Sequence, residues 1–184
     1  MTQAPELLRY TEVSSPIGPL VLVASSKGLC SVEFGTFTHN QEKLQAWAAR
    51  WFGTHELQED EQHLRPIAEQ LRQYFNKEIY TFEGPLDLQG TDFQKRVWKA
   101  LLAVPYGKTA SYKDIAEAIG SPKAVRAVGG ANNRNPIPVI IPCHRIIGAN
   151  GELVGYGGGL PIKVVLLALE SNSQLGTNNT TTME

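Results

Sequence analysis

The chain changes character at one place, and that change limits the folds open to it. The stretch Phe82-Glu83-Gly84-Pro85-Leu86-Asp87-Leu88-Gln89-Gly90 carries glycine and proline punctuation and reads as a linker. Residues 1–90 hold twelve Asp/Glu against seven Lys/Arg, a net of −5, whereas residues 91–170 hold ten Lys/Arg against five acids, a net of +5. The whole chain of 184 residues averages this away to −1. A chain of this length forms one or two domains, and the division predicts two, 1–88 and 89–170. A Ser/Asn/Thr-rich tail, 171–184, is expected to be disordered. The basic second half predicts a polyanionic partner. Hydrophobic residues make up 42% and charged residues 19%, the composition of a globular protein with core enough to fold without staples. No apolar run is long enough to span a bilayer, so no membrane association is expected. The first residues lack the basic and apolar regions of a secretory signal, and two cysteines do not make a disulfide framework. The expectation is a cytoplasmic protein with reduced thiols.

The acidic half opens as a β-meander. Leu7–Val13, Leu20–Val23 and Leu29–Phe34 are three extended segments, separated by Ser15-Pro16-Ile17-Gly18 and by Gly28. Thr38 with Gln41 predicts a capping box opening a helix through Trp47 and Trp51 that closes at Gly53. Ile67, Leu71, Tyr74 and Phe75 recur at helical spacing and predict a second helix. The expectation is an α/β domain: a short antiparallel sheet plus helices. The basic half reads as mostly α-helical. Thr91 with Gln94 caps a helix carrying Phe93, Val97, Trp98, Leu101 and Leu102 that stops before Pro105. Ser111 with Asp114 opens a short helix ended by Gly120, and Ser121 with Pro122 is expected to start another, running to about Ala131. Two short helices about a glycine-containing turn make a helix-turn-helix pattern. The second helix has small residues around one long side chain, Arg126, and glycines at 129 and 130 that each cost a helix roughly 1 kcal/mol relative to alanine. Such a helix ends early or approaches another surface closely, and it suits shape-based contact better than base-edge readout. A last, strongly apolar helix is predicted from Pro161 to Glu170.

The chemistry concentrates in Ile141-Pro142-Cys143-His144-Arg145, which sets a thiol, an imidazole and a guanidinium on consecutive residues. An imidazole or neighbouring cation lowers a thiol pKa, and the thiolate is the nucleophile. The competing reading is a buried cysteine acting as a small hydrophobe. Side chains of adjacent residues diverge, so His144 is expected to reach the sulfur through a water or a bent backbone. A base needs an orienting group, and Glu170, placed against the helix dipole, is the candidate. Tyr112 is a candidate proton donor. A zinc site needs about four ligands at short spacing. Cys30, Cys143, His39, His55, His63 and His144 do not supply that pattern, so no metal is expected.

Val104-Pro105-Tyr106-Gly107-Lys108, Ser111-Tyr112, Ala124 to Ala131, Asn135-Pro136, the Cys143 run and Tyr156 to Glu170 together resemble the O6-alkylguanine-DNA alkyltransferase family. The likeness is strong over residues 91–170 and looser before them. It implies a ribonuclease H-like first domain and a winged-helix-like second domain containing the helix-turn-helix. It also implies a single-use DNA repair protein. Cys143 would take the alkyl group from O6 of guanine, and from O4 of thymine, in a base flipped out of duplex DNA. His144 would act as base through a water, Glu170 would orient it, and Tyr112 would protonate the leaving guanine. Asn135 would tie the helix-turn-helix to the active-site turn. Arg126 would fill the gap left by the flipped base, with Tyr112, Ala124, Ala127, Gly129 and Gly130 along the DNA. Pro138, Val154, Tyr156, Gly157 and Gly158 would line the pocket. No cofactor is implied, and the expected state is a monomer on duplex DNA containing O6-alkylguanine. The zinc ligands of animal members are not present here, and Gly157 stands where those members have serine. Two rival readings stay open: a lesion binder without transfer, and a Cys-His acyl hydrolase using the Gly157–Gly159 loop as oxyanion hole.

Overall fold

A computed structural model of the chain describes residues 3–178. It divides into two compact units, Met1–Gln89 and Gly90–Glu184, the division falling one residue beyond the expected 88/89 boundary.

In the first unit three strands, β1 (Glu6–Val13), β2 (Leu20–Ser25) and β3 (Gly28–Phe34), pair antiparallel as the meander pattern predicts. A fourth, β4 (His55–Glu59), lies parallel to β1, giving the order β3-β2-β1-β4. The sheet is therefore mixed, correcting the antiparallel expectation. His-Glu-Leu-Gln-Glu has one apolar residue and no strand signal, and its conformation comes from pairing with the β1 edge. Between β3 and β4 runs α1 (Phe37–Phe52), and α2 (Glu61–Phe75) follows β4. The cap of α1 is Thr36, whose side chain accepts from the His39 amide, two residues before the expected Thr38. Leu8, Val21, Val23, Cys30, Leu44 and Ala48 form the core. Cys30 donates to the Val23 carbonyl (3.3 Å), and burial pushes its thiol pKa far up, so it packs as a small hydrophobe. The expected linker begins as part of this unit. Leu86 bridges Leu29 in parallel, the Leu29 amide donates to Pro85 (3.0 Å), and the Asp87 amide donates back to Leu29 (2.8 Å). A Cβ on Gly28 would run into the Pro85 carbonyl, so that position, with φ of 150°, needs glycine.

The second unit opens with α3 (Asp92–Leu102), whose Thr91/Gln94 capping box is complete. Trp98 is buried in it and donates its indole N–H to the Ala131 carbonyl (2.8 Å), joining α3 to α5 (Val125–Asn133). A two-residue strand β5 (Ala110–Ser111) leads into α4 (Tyr112–Ala118), capped by Ser111 and Asp114 as expected. The next helix starts later than expected. Ser121 accepts from the Ala124 amide inside a turn, and α5 begins at Val125 with Ala124 as a cap lacking a side-chain bond. Residues Cys143–Arg145 form one tight helical turn, followed by β6 (Ile146–Ile147), which pairs parallel with β5. The last helix, α6, runs Leu160–Asn178, so residues 171–178 of the expected disordered tail are helical and 179–184 lie outside the described residues.

Candidate active site

The segment from Ile137 to Pro142 is buried although it belongs to no helix or sheet, so its backbone polar groups need partners. Asn135 supplies two of them. Its Oδ1 accepts from the Ile137 amide (3.0 Å) and its Nδ2 donates to the Ile141 carbonyl (2.8 Å). The same carbonyl accepts from the Cys143 amide (2.8 Å) across Pro142. Asn135 therefore braces the backbone that carries the thiol.

Cys143 is 4% exposed. Burial pushes its thiol up to about 11, against opposing effects from hydrogen bonding by Asn135 and Tyr156 and from the Lys163 charge. The resting sulfur is a protonated thiol, and His144 does not activate it at rest as the sequence alone suggests. The imidazole turns the other way: its Nε2 lies 2.7 Å from Glu170 Oε1. Burial raises the Glu170 carboxyl, but hydrogen bonds and charge from His144 and Arg145 outweigh this and hold it at about 2. A carboxylate only accepts, so Nε2 carries the hydrogen and Nδ1 is the bare acceptor of a neutral ring. Burial keeps the ring neutral by lowering its pKa. Nδ1 is buried without a protein hydrogen-bond partner among the described residues. The site is a buried thiol beside an imidazole whose acceptor nitrogen is unused.

Arg145 serves the carboxylate, not the sulfur. Its Nε and Nη2 donate to both Glu170 oxygens (2.9 Å each at the shortest), and Nη1 donates to the Val104 carbonyl (2.7 Å). This fork fixes the orientation of Glu170 and hence of His144.

Lys163 is the residue that sequence reading passed over, counting it only as a surface charge. It is fully buried, and its Nζ donates to the carbonyls of Ile146 (2.5 Å), Gly155 (3.3 Å) and Val154 (3.4 Å). Burial lowers its pKa, while the Cys143 charge opposes that. The signal was in the spacing. Lys163, Leu166 and Glu170 fall three and four residues apart, on one helical stripe, and all are buried. Two charges on the apolar side of a helix mark a polar interior.

The other expected residues separate into two groups. Tyr112 is half-buried and its hydroxyl donates to the Val154 carbonyl (2.7 Å); burial, then the Cys143 charge, raise its pKa. Tyr156 adjoins the sulfur, Pro138 is buried, Gly158 is partly buried, and Val154 and Gly157 are exposed. Arg126 and Ala127 are exposed on α5, with Ala124 partly so at its start. A Cβ on Gly130 would meet nothing within 4 Å, and one on Gly129 only the Tyr112 ring at 3.9 Å, so packing within this chain does not demand either glycine. Among the described residues no group of three or more His, Cys, Asp and Glu could hold a metal.

Comparison with known proteins meets this geometry. Residues 92–172 match the 6-O-methylguanine DNA methyltransferase DNA-binding domain, and residues 8–88 match the ribonuclease-like domain of the same proteins. The chain belongs to the 6-O-methylguanine DNA methyltransferase family. It is 47% identical over 164 residues to a methylated-DNA–protein-cysteine methyltransferase of Methanosarcina barkeri, covering 89% of this chain and 98% of that one. A protein of the same name from Mycobacterium bovis is 45% identical over 166 residues, covering 90% and 94%. The crystal structure of Mycobacterium tuberculosis OGT in complex with DNA is 44% identical, with a TM-score of 0.74 over 90% of this chain and 93% of that one. The fold expectation, an α/β domain followed by a helical DNA-binding domain, is met, with the mixed sheet as its correction. The methyltransferases of this family repair DNA by moving an alkyl group to a protein cysteine, and DNA is the partner of the second unit.

Proposed function

We propose that this protein repairs duplex DNA by transferring the alkyl group from O6 of guanine, and from O4 of thymine, to Cys143, once per molecule. The observation that carries the reading is the buried His144–Glu170 pair, with Arg145 holding the carboxylate, on the residue next to the buried thiol of Cys143. Glu170 holds Nε2 and Nδ1 is an unused acceptor, so the ring can take the thiol proton. The Sγ–H proton passes, by way of a water, to Nδ1 as the sulfur approaches the alkyl carbon. The S–C bond forms as the C–O6 bond breaks, and the imidazolium is balanced by Glu170. Tyr112 gives its proton to the leaving guanine, so its hydroxyl exchanges the Val154 carbonyl for the base. A thiol at about 11 is a strong nucleophile once deprotonated. The thioether product offers no leaving group, which makes the protein a consumed reagent.

The target oxygen lies inside the duplex, so the base must leave the stack, at a cost of a few kcal/mol. The exposed face of α5, with Ala124, Arg126, Ala127, Gly129 and Gly130, suits a minor groove, with Arg126 as the wedge. We place the protein as a monomer in a reducing cytoplasm, the setting that keeps both free cysteines as thiols. The deciding experiment is intact mass after incubation with excess O6-methylguanine duplex. One methyl-sized increase, lost in Cys143→Ala, supports transfer; DNA binding with no mass change overturns it.

A further inference from the structure

Two non-glycine residues among those described have positive φ, and one of them, Val139, is buried four residues before Cys143. Its φ is 72° and its exposure 1%. A β-branched residue is disfavoured there more than almost any other, because both γ-methyls crowd the backbone; glycine is the residue an unstrained turn would use. Such a conformation persists only where the surroundings over-determine it. Val139 lies in a run that is buried throughout, with Ile137 at 0%, Ile140 at 6% and Ile141 at 0% exposure.

The turn at Val139 has a consequence for the sulfur. The Ile141 amide donates to the Ile137 carbonyl (2.9 Å), closing a loop with Val139 at its centre. Pro142, at φ −80° and ψ 62°, then makes an inverse γ-turn that brings the Cys143 amide onto the Ile141 carbonyl (2.8 Å). Two consecutive tight turns thus share Ile141, and the first depends on the left-handed residue. Asn135 braces both ends of that first turn, but it cannot choose the conformation at the middle.

We propose that Val139 is a positioning residue for alkyl transfer: its buried isopropyl group locks the left-handed turn that aims the Ile141 carbonyl at the Cys143 amide and so fixes where Sγ points. This rests on the reading of Cys143 as the alkyl acceptor. A glycine would adopt the same φ without strain but would also leave it freely, so the site exchanges backbone comfort for rigidity.

The test compares Val139→Gly, Val139→Ala and Val139→Ile with Val97→Ala, a fully buried valine of α3, as control. Three readings are taken: the urea midpoint, single-turnover transfer from an O6-methylguanine duplex, and the pH profile of Cys143 alkylation by iodoacetamide in a Cys30→Ala background. The Gly variant should unfold at or above the urea concentration of the Ala variant, reversing the usual order, because strain is relieved only by glycine. Both should lose about 10-fold or more in transfer rate, the scale expected for a small misplacement of a reacting atom. Their thiol profile should move to higher pH as the Asn135 contact loosens, while Lys163, Tyr156, Tyr112 and His144, the other titratable groups around the sulfur, are unchanged in sequence. Val139→Ile, still β-branched, should keep rate and profile. Val97→Ala should lose stability and keep both. A Gly variant less stable than the Ala variant, wild-type rate and profile in both, or equal losses in Val97→Ala would overturn the proposal. Absence of transfer by the wild type would refute the repair reading alone, since the iodoacetamide profile still reports the sulfur.

Discussion

Replacing Glu170 by glutamine tests the polar interior most directly. The substitution is nearly isosteric and removes one charge from a position 1% exposed. Its magnitude follows from the carboxyl, held at about 2 against an ordinary 4.5. At 1.36 kcal/mol per unit, that depression corresponds to about 3 kcal/mol of folding stability. Removing one partner of a buried pair gives a similar figure, about 3–5 kcal/mol, because the Arg145 guanidinium is left without its counter-charge. The two figures describe one interaction and are not summed. The sign is fixed: a carboxyl whose folded pKa is depressed stabilises above its unfolded pKa and loses that contribution as pH falls toward 2. The stability difference between wild type and Glu170→Gln should therefore be full at neutral pH and shrink between about pH 4.5 and 2. Urea unfolding from pH 5 to 2.5 reads this difference for the coupled His144–Glu170 pair. A difference that stays constant from pH 5 to 2.5 would refute the argument, as would a neutral-pH difference under about 1 kcal/mol. Single-turnover transfer should fall as well, since the imidazolium formed during reaction loses its balancing charge.

Asn135→Ala should cost about 2–4 kcal/mol, because the buried Ile137 amide and Ile141 carbonyl each lose a partner, read by urea unfolding at neutral pH. Without DNA, iodoacetamide modification of Cys143 should keep rising toward pH 11 and show no plateau near the ordinary thiol range of about 8.5, because burial stabilises the neutral form. Arg126→Ala should slow transfer from duplex DNA about tenfold or more while leaving the urea midpoint and iodoacetamide profile unchanged, since the side chain is exposed on α5.

Local signals were legible where a single residue satisfies a neighbouring backbone group. The Thr91/Gln94 and Ser111/Asp114 boxes form as their spacing dictates, and the three strands of the meander follow their apolar runs. Two threonines flank Phe37, and Thr36, extended in backbone and bonded to the His39 amide, is the one that caps. The β4 strand escaped notice because its extended form is imposed by the edge of β1, not by its own polar residues. The helix expected from Ser121 starts at Val125 because the Ser121–Ala124 turn competes for the same amides.

Sequence alone picked out Cys143, His144, Glu170, Asn135 and Tyr112 as candidates, though not Lys163, and it showed the division into an acidic and a basic half, because chemistry and charge belong to residues. The tertiary structure alone decided the directions and the environment. The sequence reading expected Glu170 to orient His144, and the two lie in contact. Folding adds Arg145 to the same carboxylate, buries Lys163 beneath the carbonyls of the preceding loop, and raises the thiol where the sequence suggested lowering. The physical reason is that desolvation and hydrogen-bond geometry depend on what surrounds a group in three dimensions, and neither is a property of its neighbours in the chain. The strained turn at Val139 has the same origin: nothing in an apolar run announces a left-handed residue until the core closes around it.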